Sequence, residues 1–372
     1  MLLVLDSSLI AEIDPSSNVI HALDLIAHSR RLGKHIVFGQ REVMKFLATW
    51  ELLSVTSRAV YRKLYEDLPT SLAYLNEISL SVEIVLEDVL EILDRGNSRV
   101  IRVSVNYFTD FSILDKTVIL SENHDDVLFY KRLARVYLTW KNIGNLDIAY
   151  EPRSGGGGTT DREFDSLQKS KQKFCLCILD SDKKTPKLNV GNTAKAVLKI
   201  NQQNQPLCDA LVLSVREIEN LIPTAIYRET FINDVNKQKA ILFLESLDNS
   251  SLANARNYLD MKEGIKLGKI LEEEPQTEFR KYWLTFAKKF SSHLSTECLS
   301  NEKCSQESSK KCQCFVTLGF GDNIMKKIEK VYLDKDISHM ISEELKPEWE
   351  RIGAIITAWC CASSQISTVS TS

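Results

Sequence analysis

Residues 173–182 read KFCLCILDSD, an apolar run that ends in two aspartates, Asp180 and Asp182. A short run of this kind is typical of a strand buried on both faces, as the strands of parallel sheets are. Because side chains alternate along a strand, we expect both carboxylates to face one spot at its carboxyl end. Open α/β sheets bind their ligands at that edge.

Two carboxylates ~4 Å apart repel each other by ~1 kcal/mol in water and by ~4 kcal/mol at an effective dielectric constant of ~20. A cation is therefore expected beside Asp180 and Asp182, and Mg²⁺ or Mn²⁺ suits oxygen ligands of this kind. A solvated Asp-Ser-Asp turn without a ligand is the alternative interpretation.

Two further apolar runs also end in carboxylates. They are KTVIL at 116–120 and ALVLSV at 210–215. The acidic residues that follow them are Glu122 and Asp126 after the first run, and Glu217 and Glu219 after the second. If the three runs are parallel strands of one sheet, their carboxyl ends share an edge. We then expect Glu122, Asp180 and Asp182 to bring side-chain oxygens within about 8 Å of one another and to share cations.

The acidic motifs resemble, in type and order, those of the Toprim domain. Glu122-Asn-His-Asp-Asp126 matches a glutamate and aspartate motif, with Asn123 where the family carries glycine, and Asp180-Ser-Asp182 matches its D-x-D motif. This metal-binding fold occurs in topoisomerases, bacterial primases and overcoming-lysogenization-defect nucleases. The GGGGTT and REIENLIP segments are similar to those of stand-alone Toprim-like nucleases of bacterial anti-phage systems. The resemblance covers roughly residues 115–270.

This resemblance implies a metal-dependent nuclease that hydrolyses DNA or RNA with Mg²⁺ or Mn²⁺ and acts in anti-phage defence. The catalytic residues that it implies are Glu122, Asp180, Asp182 and Lys262. The metal ligands that it implies are Glu122, Asp126, Asp180, Asp182, Glu217 and Glu219. For Lys262, a solvated position before Gly264 is the alternative.

A non-catalytic binding or regulatory subunit is the alternative function. In that interpretation the carboxylates hold one structural ion or none, and the chain acts through another protein. The resemblance implies a separate ATPase or sensor protein as a partner, because many such effectors work beside an ATPase. The chain has no G-x-x-x-x-G-K-[ST] motif of its own. A homodimer also stays open.

The glycine tract at 155–158 must be a loop, because glycine destabilises helix and strand interiors by roughly 0.5–1 kcal/mol per residue. One interpretation is a flexible turn. In the other, backbone N–H groups and the following helix bind phosphate. The residues of that phosphate site are Gly156, Gly157, Gly158, Thr159 and Thr160.

Four of the nine cysteines lie in a polar segment that is rich in lysine and serine. They are Cys298, Cys304, Cys312 and Cys314. Buried thiols usually lie among apolar residues, so tetrahedral zinc is one explanation, with His293 as a substitute ligand. Their C-x5-C-x7-C-x-C spacing departs from paired C-x2-C motifs, and a loop of free thiols is the alternative.

Composition places the chain among ordinary globular proteins. Its 372 residues carry a net charge of −3, so contact with nucleic acid requires a local basic patch rather than a global field. The lysines around the D-x-D motif are candidates, with a solvated surface as the alternative. They are Lys169, Lys171, Lys173, Lys183, Lys184, Lys187, Lys195 and Lys199. No segment approaches the ~20 apolar residues of a membrane span and no signal peptide is evident, so we expect a cytoplasmic protein without membrane contact.

The predicted fold class is α/β, in three domains. Residues 1–112 form an N-terminal α/β and helical domain, 113–224 a Toprim-like core with a mainly parallel sheet, and 225–372 a helical cap with the cysteine segment and C-terminal helices. Residues 57–94 are expected to be helical throughout. Asp6 and Glu42 vaguely resemble the start of a PIN nuclease, with a degenerate α/β domain or a recognition platform without chemistry as the alternatives.

Overall fold

The computed structural model separates the chain into two compact units. One comprises Met1–Ile178, Ala196–Leu211 and Glu350–Ser372, and the other Leu179–Lys195 and Val212–Trp349. The residues that the structure describes are 1–10, 18–75, 77–96, 98–156, 158–290, 294, 299–302, 312–332 and 335–367. The predicted three-domain division stays a prediction, and its boundaries after residues 112 and 224 each fall inside a compact unit.

The first unit begins with a five-stranded sheet of order β2-β1-β3-β5-β4. Its strands are β1 (Leu2–Leu5), β2 (Ile36–Gly39), β3 (Leu80–Val85), β4 (Leu90–Arg95) and β5 (Ser98–Ser104). All neighbours are parallel except β4 and β5. The helices of this region are α1 (Asn18–Arg31), α2 (Arg41–Thr49) and α3 (Val55–Leu75).

The expectation of continuous helix over residues 57–94 is wrong. Helix α3 ends at Leu75, and β3 and β4 follow. The reason lies in the alternation of β3, where Leu80, Val82 and Ile84 are buried and the residues between them are half-buried. A period of two places these side chains on one face of a strand, which a helix cannot do.

A second sheet in the chain carries the order β10-β9-β6-β8. Its strands are β6 (Thr117–Ser121), β8 (Tyr150–Ser154), β9 (Cys175–Leu179) and β10 (Cys208–Val212). The helices between them are α4 (His124–Trp140), α5 (Thr160–Ser170) and α6 (Asn192–Asn201), and the short strand β7 (Asp147–Ile148), which precedes β8, belongs to a separate two-stranded sheet. Strand β6 pairs in parallel with both β8 and β9, and every residue of β6 and β9 is buried. The predicted α/β class and these two buried strands are confirmed.

The chain passes from β6 to β8 on one side and then to β9 on the other side of β6. The strand order therefore reverses between β6 and β9. In open α/β sheets, ligands bind outside the carboxyl ends of the strands at such a reversal. Glu122 follows β6 and Asp180 follows β9 in the sequence.

The second unit is mainly helical. Its elements are α7 (Thr224–Thr230), α8 (Val235–Asp248), β11 (Gly264–Lys266), α9 (Leu267–Glu272), α10 (Glu278–Phe290), β12 (Phe315–Leu318) and α11 (Ile324–Tyr332). Strands β11 and β12 are antiparallel. Tyr227 and Phe320, both fully buried, stack with ring centroids 4.2 Å apart.

The chain closes with α12 (Lys346–Cys360) and β13 (Cys361–Ala362), which pairs with β7. None of the helices in the described part of the chain has the length and apolar character needed to cross a membrane.

Candidate functional site

The Asp180–Asp182 segment leaves the strand before its first aspartate. Strand β9 ends at Leu179, and Ser181 is fully buried between a half-buried Asp180 and an exposed Asp182. Asp182 has φ of 53°, in the left-handed region. The premise that both carboxylates face one way along an extended strand is therefore wrong. A left-handed residue turns the chain and ends the alternation on which that premise depends.

Asp182 is held by its surroundings in this left-handed turn. Its N–H donates to the carbonyl of Arg216 at 2.8 Å. A Cβ at Gly191 would lie 2.2 Å from Asp182 Oδ2, so glycine is required at that position. Gly191 N–H in turn donates to the carbonyl of Ser181 at 2.8 Å, which closes the base of loop 181–191.

Asp180 is tied to the REIENL segment that follows β10. Its Oδ1 accepts the N–H of Ile218 at 2.9 Å. Ile218 begins the 3-10 helix Ile218–Leu221, and Glu217 immediately precedes that helix. The Glu217 N–H donates to Asn220 Oδ1 at 2.9 Å, so the segment is a capped turn rather than an extended strand.

Glu217 and Glu219 converge on a single lysine. Lys262 Nζ lies 2.9 Å from Glu219 Oε1 and 3.4 Å from Glu217 Oε2. The side chains of Glu217 and Glu219 are 11% and 4% exposed, and that of Lys262 is 36% exposed. Glu217 Oε1 also accepts the N–H of Met261 at 2.8 Å. The sequence left open which glutamate would flank the aspartates, and both contact Lys262.

The electrostatics of this cluster are unbalanced. Asp180, Glu217 and Glu219 carry three negative charges when ionised, against one positive charge on Lys262. Burial and the charge of Glu219 raise the pKa of Glu217 from its ordinary 4.5 to about 7. Burial lowers the pKa of Lys262, but the charges of Glu219, Glu217 and Asp180 outweigh burial and raise it. We call these four residues the carboxylate–lysine cluster.

One carboxylate oxygen of the cluster has no hydrogen-bond partner among the described residues. It is Glu219 Oε2, which is buried. A buried carboxylate oxygen without a donor is costly, because desolvation is not offset by a new interaction. The cluster therefore retains capacity for a further positive group.

A buried arginine holds the segment that follows Glu219. Arg256 is 3% exposed and donates to the carbonyls of Asn220 and Ile222 and to both carboxylate oxygens of Asp248, at 2.7 and 2.8 Å. Asn220 Nδ2 donates to the carbonyls of Arg256 and Leu259. Sequence reasoning missed both residues. Glu217 and Asn220 form a capping box in the structure, but Glu-x-x-Asn is not the S/T-x-x-E/Q signature that marks one in a sequence, and no local pattern marks Arg256.

A second ion pair lies beside the cluster. Arg216 NH2 lies 2.6 Å from Asp260 Oδ2, and both side chains are less than one-fifth exposed. The Arg216 N–H donates to the carbonyl of Asn257 at 2.7 Å. These contacts join the segment after β10 to the Tyr258–Lys262 segment, which carries Lys262.

In the first unit, the glycine tract packs against the turn that carries Glu122. Gly155 N–H donates to the carbonyl of Ser121 at 2.8 Å, and Ser154 Oγ donates to the carbonyl of Glu122 at 3.0 Å. A Cβ at Gly155 would lie 2.3 Å from Thr160 Oγ1, so this approach requires glycine. The tract therefore lies directly beside the Glu122 turn.

Phosphate binding by this tract stays a prediction. Thr159 Oγ1 donates to the carbonyl of Gly155, and α5 begins with Thr160 followed by Asp161 and Glu163 in its first turn. Acidic side chains there oppose a bound anion, because they already interact with the helix dipole. Gly156 has φ of 65°, Gly158 has open space around it, and Gly157 lies outside the described residues.

The first unit also holds Glu122 and Asp126. Asp126 is 5% exposed in the first turn of α4. Burial raises the pKa of the Cys177 thiol in β9, and the charge of Glu122 raises it further, so Glu122 lies near β9. The convergence of Glu122 with Asp180 and Asp182 stays a prediction. Across the described ranges, no group of three or more His, Cys, Asp or Glu side chains is arranged to hold a metal ion.

The predicted zinc ligands lie only in part within the described residues. Cys298, Cys304 and His293 lie outside the described residues. Cys312 is buried and Cys314 is half-buried, with Cys312 Sγ 4.0 Å from the Cys314 carbonyl oxygen.

The raised pKa of Glu217 predicts a pH-dependent stability. The folded state holds a proton on Glu217 between about pH 4.5 and 7 that the unfolded state has lost, so the free energy of unfolding falls as pH rises through this window. The shift corresponds to about 3 kcal/mol. Glu217→Gln should remove this loss in urea unfolding at pH 5 and pH 8.

Glu344→Gln, at an exposed carboxylate of the same unit, is the matched control and should keep the wild-type pH profile. An equally steep profile in Glu217→Gln would show that other groups cause the pH dependence.

No protein-family model, curated protein or solved structure matches this chain.

Proposed function

We propose that this chain is a metal-dependent nuclease of the Toprim type, which hydrolyses phosphodiester bonds in DNA or RNA. The observation that carries the proposal is the carboxylate–lysine cluster, in which Glu217 and Glu219 lie within 3.4 Å of one Lys262 ammonium and Asp180 contributes a third charge. A role in cytoplasmic anti-phage defence, beside a partner ATPase or sensor, belongs to the same proposal through the resemblance of the motifs.

The carboxylates of the cluster are of the chemical type that binds a hard divalent cation, although no three of the described carboxylates are arranged as a metal site. Asp180, Glu217 and Glu219 offer oxygen ligands, which Mg²⁺ and Mn²⁺ prefer. Their charges exceed that of Lys262, and Glu219 Oε2 is buried without a partner in the described part of the chain. Asp182, Glu122 and Asp126 stay predicted ligands. Asp180, Glu217 and Glu219 would hold the cation, which would supply a Lewis acid for the phosphodiester group.

The chain's own residues have distinct tasks in this proposal. The Ile218 N–H orients Asp180, and the Met261 N–H orients Glu217. Lys262 is more than one-third exposed, so its ammonium is open to a bound phosphate from the position that it holds beside Glu217 and Glu219. Positive charge at that point stabilises the negative charge that develops on the phosphate oxygens.

A cleavage assay tests the proposal. The purified chain is incubated with a mixture of single- and double-stranded DNA and RNA, with Mg²⁺, with Mn²⁺ or with EDTA. We expect shortened products with a divalent cation and none with EDTA. Intact substrates under every condition, together with a cation-independent melting temperature, would favour the non-catalytic subunit instead. That alternative has one observation in its favour, since Lys262 already neutralises part of the cluster's charge.

A further inference from the structure

A cleft of about 360 Å³ in the second unit combines lysines with aromatic rings. It lies along α10, and the residues that matter to its chemistry are Lys187, Glu278, Lys281, Tyr282, Phe286 and Lys289. We call it the α10 cleft. Helix α10 contributes Lys281, Tyr282, Phe286 and Lys289 to the lining. Tyr282, Phe286 and Lys289 follow one another at spacings of four and three, so these three share a helix face.

The charge of the α10 cleft is positive. Lys187, Lys281 and Lys289 are exposed, and none of them forms an ion pair with another residue in the described ranges. Glu278 is the single acidic residue of the lining. Lys288, the neighbour of Lys289 in α10, is paired with Glu302 and does not line the cleft. Three unpaired lysines around one cleft form the local basic patch that the sequence required for nucleic-acid contact.

The aromatic rings of the α10 cleft are held in place by their neighbours. Tyr282 is half-buried, with its ring centroid 6.0 Å from that of Tyr258 and 5.1 Å from that of Trp283. Trp283 is fully buried and also lies 5.4 Å from Phe286. A fixed ring loses little conformational entropy when a base stacks on it, which suits it to bind nucleobases.

The loop that carries Lys187 connects the α10 cleft with the D-x-D motif. Trp283 Nε1 donates to the carbonyl of Lys184 at 2.9 Å, which anchors loop 181–191 on α10. The base of the same loop holds Asp182, and its closing bond joins Gly191 to Ser181. One short loop therefore carries a residue of the α10 cleft and a residue of the candidate catalytic segment.

We propose that the α10 cleft binds single-stranded nucleic acid, with Lys187, Lys281 and Lys289 on the phosphates and Tyr282 under a base. This inference rests on the proposed nuclease function and names its substrate class. Single strands fit because their bases are free to stack on a protein ring, whereas duplex bases are already stacked on one another. An acidic protein would satisfy the lysines but would leave the aromatic part of the cleft unused.

The test is binding of fluorescein-labelled (dT)20, measured by anisotropy in EDTA so that no cleavage occurs. We expect the combined change Lys187→Ala, Lys281→Ala and Lys289→Ala to weaken binding by about tenfold and to reduce the salt slope by about 2. Tyr282→Leu should weaken binding by about tenfold, whereas Tyr282→Phe keeps the ring and should bind as the wild type does.

The matched control changes three exposed lysines of the same unit that lie outside the α10 cleft, namely Lys239, Lys327 and Lys330. It removes the same charge and should leave affinity within about twofold. Three outcomes would overturn the inference: an equal loss of affinity in both triple variants, tighter binding of duplex than of (dT)20, or competition by polyglutamate as strong as that by unlabelled (dT)20. If the wild type cleaves nucleic acid and the α10-cleft triple variant binds and cleaves as the wild type does, the inference about the cleft is overturned and the nuclease proposal stands. If binding changes as expected but the wild type cleaves nothing, the nuclease proposal is overturned and the inference about the cleft stands.

Discussion

Asp180→Asn is expected to lower divalent-cation-dependent cleavage by roughly two to three orders of magnitude or more while the fold persists. Asparagine keeps an oxygen that can accept the Ile218 N–H, so the contact that holds the segment survives. The negative charge needed for a cation is lost. Initial rates of cleavage with Mn²⁺, together with circular dichroism and thermal melting, measure both parts of the expectation.

Without metal, Asp180→Asn should melt at the wild-type temperature or slightly above it, because one of three neighbouring carboxylates becomes neutral. Asp322→Asn, at an exposed aspartate of the same unit, should keep full activity. Unfolding of Asp180→Asn would make this residue structural and would remove it from the proposed site. Full activity in a folded Asp180→Asn variant would also remove Asp180 from the proposed site.

Lys262→Met is expected to give the largest loss of stability among single substitutions in the carboxylate–lysine cluster. It retains the length of the side chain but leaves Glu217 and Glu219 buried without their cation. Breaking a buried ion pair from one side costs 3–5 kcal/mol in general, and the 36% exposure of Lys262 reduces the expectation to about 2–3 kcal/mol at pH 8. Urea unfolding measures this free energy.

The loss in Lys262→Met should be smaller at pH 5, where Glu217 is protonated in the folded state. Adding Glu219→Gln to Lys262→Met should recover part of the stability, because it removes a buried charge that has no partner. If a cation binds the cluster, Mn²⁺ should also raise the melting temperature of Lys262→Met. A variant as stable as the wild type at pH 8 would show that solvent already screens the two glutamates.

The buried strands around the D-x-D motif were predictable because their signal is local. The apolar runs of β6 and β9 read as buried strands without any knowledge of their partners, and both are buried along their whole length. The β3–β4 region was mistaken for helix, although Leu80, Val82 and Ile84 alternate there. Apolar residues in a charged segment suggest either period when the segment is short, and pairing with β1 and β5 decides between them.

In the candidate site, too, some features have local causes and others have tertiary causes. The sequence marks Asp180, Glu217, Glu219 and Lys262 as candidates through the residues that end the apolar runs and through the Toprim-like order of the motifs. It does not indicate that Asp182 adopts φ of 53°, because that turn depends on the hydrogen bond to the carbonyl of Arg216 and on the absence of a side chain at Gly191. Neither contact can be inferred from the intrinsic conformational preferences of the residues around Asp182.

By itself, the sequence determined the α/β class, the buried strands and the acidic residues that follow them, since each of these depends on side chains within a few positions of one another. Only the tertiary structure decided that Lys262 serves both Glu217 and Glu219, more than forty residues earlier in the chain. It also decided that Arg256 supports their segment from within the core. These pairings require loops to close around a buried core, and the identity of the distant partner leaves no periodic or compositional mark in the sequence.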